Sequence, residues 1–177
     1  MAPTRELAQQ IEKEFVKLTY NTELRSVVIV GGKSADEQGS IISRGVEVVI
    51  GTPGRIQDCL DRRTLVLNQC YFVVLDEADK MIDYNLEDSV NAIIDQIPST
   101  LHKAEEEALV KEQEQLMVEG KQNFKTFLMF SATMHPLVEK MARQYLKFPA
   151  FIQIGEIGAK KDIEQRVEFV TNDQQRR

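Results

Sequence analysis

The chain has 177 residues, of which 42% are hydrophobic and 28% are charged, and its net charge is −6. This length and composition suit one globular domain with a single core and exclude a fibrous or low-complexity chain. An apolar run such as Cys70–Leu75 is far shorter than the roughly 20 residues that cross a bilayer, so the sequence predicts no membrane helix. Charged residues near the N-terminus exclude a signal peptide, and the separated cysteines Cys59 and Cys70 predict reduced thiols in an intracellular protein.

Short apolar runs alternate with amphipathic segments along the chain. The runs are continuously apolar, as in parallel strands that are covered on both faces. We predict strands over Ser26–Val30, Val46–Ile50, Tyr71–Leu75, Thr126–Phe130 and Phe151–Ile154. The first helix carries a stripe from Leu7 to Leu18 and has Thr4 as its N-cap. Further helices are predicted over Ala35–Ile42, Arg55–Leu60, Leu86–Ile97 and Pro136–Leu146. This alternation indicates the α/β class, with an open, mostly parallel sheet and helices on both faces.

The stretch Leu101–Asn123 differs from the rest, because it holds six Glu and three Lys. Its Glu107 and Lys111 have the spacing and order of a helix-stabilising ion pair. We therefore expect a charged helical insertion at about residues 101–123, which is either a solvated polar helix or a partner-binding element. The tail Thr171–Arg177 has the composition of the start of a linker.

Acidic residues follow the third predicted strand, in the order Asp76-Glu77-Ala78-Asp79. Ligands of an open α/β sheet bind at the carboxyl ends of its strands. A buried strand that ends in Asp-Glu has the form of a Walker B element, in which the Asp holds hydrated magnesium and the Glu orients or deprotonates a water molecule. Taken alone, the Asp-Glu pair favours an ordinary acidic loop.

Other short segments accompany this one in a fixed order, and most of them come directly after a predicted strand. The set is Pro3–Ala8, Gly31–Gly32, Thr52–Arg55, Asp76–Asp79 and Ser131–Thr133. With these segments the chain resembles the first RecA-like domain of the DEAD-box family of ATP-dependent RNA helicases. The resemblance covers residues 1–170, and Val73–Asp83 and the charged insertion are most similar to the spliceosomal tri-snRNP member. Tyr84-Asn85-Leu86 departs from the usual Gly-Phe after the Asp76–Asp79 motif and does not affect the catalytic set.

The resemblance implies a first group of residues that acts on ATP and Mg²⁺. Asp76 would hold magnesium through water, and Glu77 would be the general base for the water that attacks the γ-phosphate. Asp79 would bond towards Ser131 and Thr133 and so couple the nucleotide state to domain closure. Ser131 and Thr133 could instead be simple helix caps.

A second group would contact the sugar-phosphate backbone of RNA. It consists of Pro3, Thr4, Arg5, Gly31, Gly32, Thr52, Pro53, Gly54 and Arg55. Glycines let backbone N–H groups approach a phosphate, a helix N-terminus favours an anion, and arginine supplies a fork of donors. A few local donors are compatible with the negative net charge, although Gly54 could also serve only to permit a turn. The implied partners are RNA and, in pre-mRNA splicing, spliceosomal proteins, which places the protein in the nucleus or otherwise in the cytoplasm.

The phosphate-binding loop of the family, G-x-x-x-x-G-K-[ST], does not occur in the chain. Gly32-Lys33-Ser34 imitates its end, but Val27 stands where the first glycine belongs. In the family this loop lies upstream of the Pro3–Ala8 segment and a second RecA-like domain lies downstream. We therefore expect a fragment that is inactive alone. In such a fragment Phe151–Ile154 would shift inward to pair with Thr126–Phe130, or a neighbouring protomer would complete the sheet.

Three functions are compatible with these motifs. The first is a part of an ATP-driven RNA helicase, and the second is a non-catalytic RNA-binding or scaffold module. The third is a DNA-directed P-loop translocase. Glu77 favours the helicase over the scaffold, because a binding module needs no water-activating carboxylate. The Thr4–Ala8 segment combined with Asp76–Asp79 disfavours the DNA translocase.

Overall fold

The computed structural model describes residues 1–32, 34–98, 102–122, 124–155 and 166. The strands within these ranges are β1 (Ser26–Ile29), β2 (Val48–Gly51), β3 (Phe72–Leu75) and β4 (Thr126–Met129). The helices are α1 (Arg5–Leu18), α2 (Ala35–Ser43), α3 (Pro53–Asp61), α4 (Ala78–Asp83), α5 (Glu87–Asp95), α6 (Glu107–Val118) and α7 (Pro136–Tyr145). Among the helices of these residues, none has the length and apolarity that a membrane span requires.

The strands form two parallel pairs, β1 with β2 and β3 with β4. The first two residues of the chain lie between these pairs. The Ala2 N–H donates to the Gly51 carbonyl at 3.0 Å, and the Asp76 N–H donates to the Met1 carbonyl at 3.1 Å. The α-amino group of Met1 donates to the Val74 carbonyl at 2.6 Å. Backbone hydrogen bonds thus connect β2 to β3 and place the carboxyl ends of all four strands along one edge.

Both faces of the β1–β2 pair are covered, as the continuously apolar pattern predicts. Ile29 packs with Ile56 of α3 and Ile93 of α5 in one buried cluster. Val28, on the opposite face of β1, packs with Ala8 of α1. Alternate residues of the strand therefore enter different cores.

The β3–β4 pair is covered on one face. Leu75 is fully buried with Met81 of α4, Val90 of α5 and Val138 of α7. The other face includes Phe72, which is 65% exposed, and no helix within the described ranges covers it. The expectation of helices on both faces is therefore met only by β1 and β2 in this part of the chain.

The predicted strand Phe151–Ile154 is wrong. Residues 151–154 form no strand, and the side chains of Phe151, Ile152 and Ile154 are exposed. The expected inward shift is also wrong, because β4 pairs with β3 and with no other strand in the described ranges. A run of β-branched and aromatic residues becomes a strand only where a partner supplies hydrogen bonds.

The other predicted elements differ from the structure mainly at their ends. Thr4 caps α1 by accepting a hydrogen bond from the Leu7 N–H at 3.3 Å. The first predicted strand, Ser26–Val30, ends one residue earlier in the structure, and the second, Val46–Ile50, begins two residues later and ends one residue later. Helix α4 was not predicted, because six residues are too few to display a helical period. The tail Thr171–Arg177 lies outside the described residues.

The charged stretch contains α6, and several contacts hold it to the rest of the protein. The Lys147 ammonium lies 2.9 Å from Glu105, and the Lys125 ammonium lies 2.7 Å from His102 Nε2. Val110 is buried, whereas Leu109 is 46% exposed. The helix is therefore largely solvated, and the segment that precedes it is anchored to the rest of the protein.

Candidate functional site

The carboxyl end of β3 carries Asp76 and Glu77 into a tight turn. Glu77 has φ 50° and ψ 53°, the left-handed conformation that costs a non-glycine residue about 1–2 kcal/mol. Its N–H donates to Asp76 Oδ1 at 2.9 Å, and its carboxylate lies 3.3 Å from the Lys80 ammonium. Such strain is stored most often at functional sites. The turn begins α4 directly after Glu77.

Asp79, in the first turn of α4, is joined to the loop after β4. Its Oδ2 accepts from the Thr133 N–H at 3.1 Å and from the Thr133 hydroxyl at 2.7 Å. Its own N–H donates to Ser131 Oγ at 3.3 Å, and the Ser131 hydroxyl donates to the Thr133 carbonyl at 2.7 Å. Burial alone would raise the pKa of Asp79, but hydrogen bonds from Thr133, Lys80 and Ser131 outweigh it and hold the pKa below its usual value.

A second part of the same edge is an open depression with a volume of about 490 Å³. Its lining residues come from the start of α1, the start of α3 and the start of α5. They are Pro3, Thr4, Arg5, Glu6, Thr52, Gly54 and Leu86. Three helix N-termini therefore border the depression, and the unpaired N–H groups of a helix N-terminus favour an anion.

The two parts of the site are neighbours because Met1 and Ala2 connect them. Met1 bonds to Asp76 at the end of β3, and Ala2 bonds to Gly51 at the end of β2. The next residues, Pro3 and Thr4, thus leave the sheet between the acidic turn and the start of α3. The sequence alone placed these motifs at strand ends but did not determine which strands are adjacent.

Three predicted RNA-contacting glycines differ in their surroundings. A Cβ built on Gly31 or on Gly32 would lie 2.9 Å from a terminal nitrogen of the Arg5 guanidinium. A Cβ built on Gly54 would meet no atom within 4 Å. The space beside Gly54 is therefore open to a ligand, whereas Arg5 fills the space beside Gly31 and Gly32.

The structure does not bring Pro53 and Arg55 into the depression. Pro53 is fully buried as the first residue of α3. The Arg55 side chain is only 17% exposed, and its guanidinium pairs with Asp58 in the same helix. Asp58 also accepts from Arg62 Nε at 2.6 Å. The spacing of these three charged residues, which suits pairs within one helix, was the available signal that Arg55 has a partner inside the protein.

Sequence reasoning also missed three residues at the site. Glu6 and Leu86 line the depression, and Lys80 pairs with Glu77. Lys80 follows Glu77 by three positions, a spacing that predicts such a pair once α4 is recognised. Leu86 carries no comparable signal in the sequence, because its place depends on the turn at Asn85, which has φ 54°.

Comparison with known proteins identifies the class to which this fold and site belong. The sequence model of the DEAD/DEAH box helicase family matches residues 1–141, and the chain belongs to that family. This membership confirms the resemblance on which the site residues were proposed.

Individual relatives are similar over nearly the whole chain. The pre-mRNA-splicing ATP-dependent RNA helicase PRP28 of Gibberella zeae is 46% identical over 179 residues, which cover 100% of this chain and 25% of the relative. The ATP-dependent RNA helicase ddx23 of Dictyostelium discoideum is 47% identical over 98% of this chain and 20% of its own length. The chain therefore spans about a quarter or less of these relatives.

Solved structures agree in fold. The crystal structure of the yeast DEAD-box splicing factor Prp28 matches with a TM-score of 0.65 and 36% identity, over 81% of this chain and 29% of that one. A DEAD box protein from the hyperthermophile Methanococcus jannaschii matches with a TM-score of 0.64 and 30% identity, over 82% and 33% of the two chains. The predicted open α/β, RecA-like fold class is thereby confirmed.

Proposed function

We propose that this chain is part of the ATP-hydrolysing motor of an RNA helicase. The observation that carries the proposal is the connection from Asp79 to Thr133, which ties the helix after Glu77 to the loop after β4. Because α4 starts at the acidic turn, a change at Asp76 or Glu77 is passed directly to that loop. Family membership and the helicase names of the relatives support the same function.

The donor set at the acidic turn fits a hydrated magnesium ion on a nucleotide. Magnesium in such sites takes one or two carboxylates together with water and phosphate oxygens. Within the described residues, no group of three or more His, Cys, Asp and Glu side chains could enclose a metal ion. When bound, magnesium neutralises phosphate charge and ATP supplies the γ-phosphoryl group. Asp76 would hold the ion through water, and Glu77 would orient the attacking water and accept its proton.

The RNA-binding role falls to the depression beside this turn. Thr4 and Thr52 supply hydroxyl groups, Gly54 leaves its backbone accessible, and Arg5 supplies guanidinium donors. All these groups can bind phosphate oxygens, and we expect binding through the RNA backbone that is independent of sequence and sensitive to salt. The alternative of a non-catalytic RNA-binding module is less well supported, because such a module does not require Glu77 in a strained turn.

The longer protein would act in pre-mRNA splicing, since relatives named as pre-mRNA-splicing helicases align with the whole chain. RNA and spliceosomal proteins are the corresponding partners, and the nucleus is the corresponding location. The chain alone contains no G-x-x-x-x-G-K-[ST] loop, so it has no lysine and amide cradle for the phosphates. We therefore expect no detectable ATP hydrolysis by these 177 residues in isolation.

The experiment compares Glu77→Gln with wild type in the full-length protein that contains this chain. RNA-stimulated ATP hydrolysis should fall by at least about a hundredfold, while the affinity for a fluorescent ATP analogue should stay within about twofold, because only the general base is lost. Glu112→Gln on the exposed side of α6 is the matched control and should retain full turnover. Near-normal turnover with Glu77→Gln would contradict the assigned role.

A further inference from the structure

The Arg5 guanidinium lies against the turn formed by Gly31 and Gly32. We call this turn the Arg5 seat. A Cβ on Gly31 would lie 2.9 Å from Nη2 and 3.3 Å from Cζ, and a Cβ on Gly32 would lie 2.9 Å from Nη1. Real Cβ atoms essentially never come within 3.0 Å of another heavy atom in this way. The two terminal nitrogens of the guanidinium therefore occupy space that the Cβ of any residue other than glycine at positions 31 and 32 would fill.

The two glycines are needed for different reasons. Gly32 has φ +83°, which favours glycine whatever its neighbours are. Gly31 does not have a positive φ, and a Cβ at this position would instead displace the end of the flexible Arg5 side chain. Gly54 provides the contrast, because its missing side chain leaves open space.

Gln38 donates a hydrogen bond to the backbone just before the Gly31–Gly32 turn. This residue of α2 is only 3% exposed, and its Nε2 donates to the Val30 carbonyl at 3.1 Å. Val30 directly precedes Gly31, so the bond fixes the backbone where the turn begins. Gln38 Oε1 is buried and accepts no hydrogen bond within the described residues, which is a costly arrangement for an amide. The bond to Val30 is thus the interaction that accounts for an amide at this position.

The seat contacts the Arg5 guanidinium without neutralising its charge. Arg5 is exposed at the start of α1, and it has no ion pair or hydrogen bond in the part of the chain that the structure describes. Its donors are therefore available towards the depression that Thr4 and Thr52 line. A planar fork held in one orientation suits two oxygens of one phosphate group, which a flexible ammonium group does not match.

We propose that Gly31, Gly32 and Gln38 are positioning residues, which hold the Arg5 guanidinium in the orientation that binds a phosphodiester. This proposal rests on the proposed RNA-binding function and revises the role of the two glycines, which would act through Arg5 and not through contacts of their own. The ligand class is the phosphodiester backbone of single-stranded RNA.

The first test needs no RNA and uses the isotope-labelled chain. In wild type, the Arg5 Nε–Hε NMR signal should be displaced from that of a free arginine. Gly31→Ala and Gln38→Met should both move it to the free position. Gly39→Ala in α2 is the matched control, because its Cβ would meet only a Thr64 methyl group at 4.0 Å. A wild-type signal that already lies at the free position would contradict the contact between Arg5 and the turn. A signal that Gly31→Ala leaves unchanged would contradict it as well.

The second test is a double-mutant cycle in the full-length protein that contains this chain, with fluorescein-labelled oligouridine at low salt. Arg5→Ala and Gly31→Ala should each weaken binding by about tenfold, the scale of a charged hydrogen bond. The double variant should bind no more weakly than Arg5→Ala alone, and its salt slope should match that of Arg5→Ala. Additive losses would mean that Gly31 contacts RNA itself, which refutes the positioning role. If wild type binds no RNA, the proposed function fails, while the NMR test still decides whether the seat exists.

Discussion

Thr133 donates two hydrogen bonds to one carboxylate oxygen of Asp79, from its N–H at 3.1 Å and from its hydroxyl at 2.7 Å. The residues are 54 positions apart in the chain. The Lys80 N–H donates to the other oxygen at 3.0 Å, so both oxygens of a buried carboxylate are satisfied. Loss of any one donor leaves part of that charge without compensation, which makes the connection both stabilising and sensitive to change.

Thr133→Val removes the hydroxyl donor and keeps the shape of the side chain. We expect the free energy of unfolding at neutral pH to fall by about 1–2 kcal/mol, whereas Thr133→Ser should stay within about 0.5 kcal/mol of wild type. Urea unfolding measures both. The Ser variant is the control, because it restores the donor without the methyl group. Equal losses in the two variants would show that methyl packing, and not the hydrogen bond, holds the loop.

Acid unfolding provides an independent check on the same bonds. The folded-state pKa of Asp79 is lower than usual, so its stabilising contribution is complete above the unfolded value of about 3.9 and is lost as the pH falls below it. Thr133→Val should therefore lose less stability than wild type on acidification through that range. A parallel loss in both proteins would mean that the hydroxyl does not lower the pKa.

Because the backbone of Glu77 is left-handed, glycine at this position should give a more stable protein than alanine, the reverse of their order in an ordinary helix. Both Glu77→Gly and Glu77→Ala remove the carboxylate, so their difference isolates the backbone. The Gly variant should be more stable by about 0.5–1 kcal/mol, because relief of the positive φ exceeds the entropy cost of glycine.

The matched control is the same pair of substitutions at Glu112 in α6. There, alanine should be more stable than glycine by about 0.5–1 kcal/mol, as in any exposed helix. Thermal and urea unfolding of the four variants give the comparison. Alanine favoured at both positions would show that Glu77 is not held in the left-handed conformation.

Local rules accounted for most of the secondary structure. The Thr4 cap depends on residues within one helical turn, and the core strand β1 is readable because its apolar run is continuous. The position of Asp79 beside Thr133 came from the resemblance, since no local pattern joins residues 54 positions apart. The structure supplies the geometry of that connection.

The failures share a physical cause, which is dependence on non-local partners. Phe151–Ile154 has the composition of a strand but no neighbouring strand in the described ranges. The contact between Arg5 and Gly31 joins a helix start to a distant turn, which no spacing rule reveals. The ion pair of Arg55 is different, because its Asp58 partner lies within the same helix and is visible in the sequence.

This pairing predicts that Arg55 and Arg5 have separable effects. Arg55→Ala should lower the free energy of unfolding by about 1 kcal/mol, because a largely buried side chain and its ion pair are lost. Its effect on the salt dependence of RNA binding should be negligible. Arg5→Ala should instead leave stability within about 0.5 kcal/mol and reduce the salt slope by about 0.7, as expected for one lost contact with a single strand. A reduced slope with Arg55→Ala would return that residue to the RNA-binding group.

The contact between His102 and Lys125 predicts a pH-dependent attachment of the charged insertion. The Lys125 ammonium donates to His102 Nε2, so this nitrogen must carry no proton. Burial first, and then the charge of Lys125, lowers the pKa of His102 below its usual 6.5. The folded protein therefore binds this proton less readily than the unfolded chain, and the free energy of unfolding should fall as the pH drops below about 6.5.

His102→Gln keeps an acceptor but does not titrate. It should therefore flatten the slope of unfolding free energy against pH, measured by urea unfolding across that range. His135→Gln, which removes the other histidine of the chain at the start of α7, is the matched control. If the slope disappears with His135→Gln and persists with His102→Gln, the contact with Lys125 is not the pH-sensitive element.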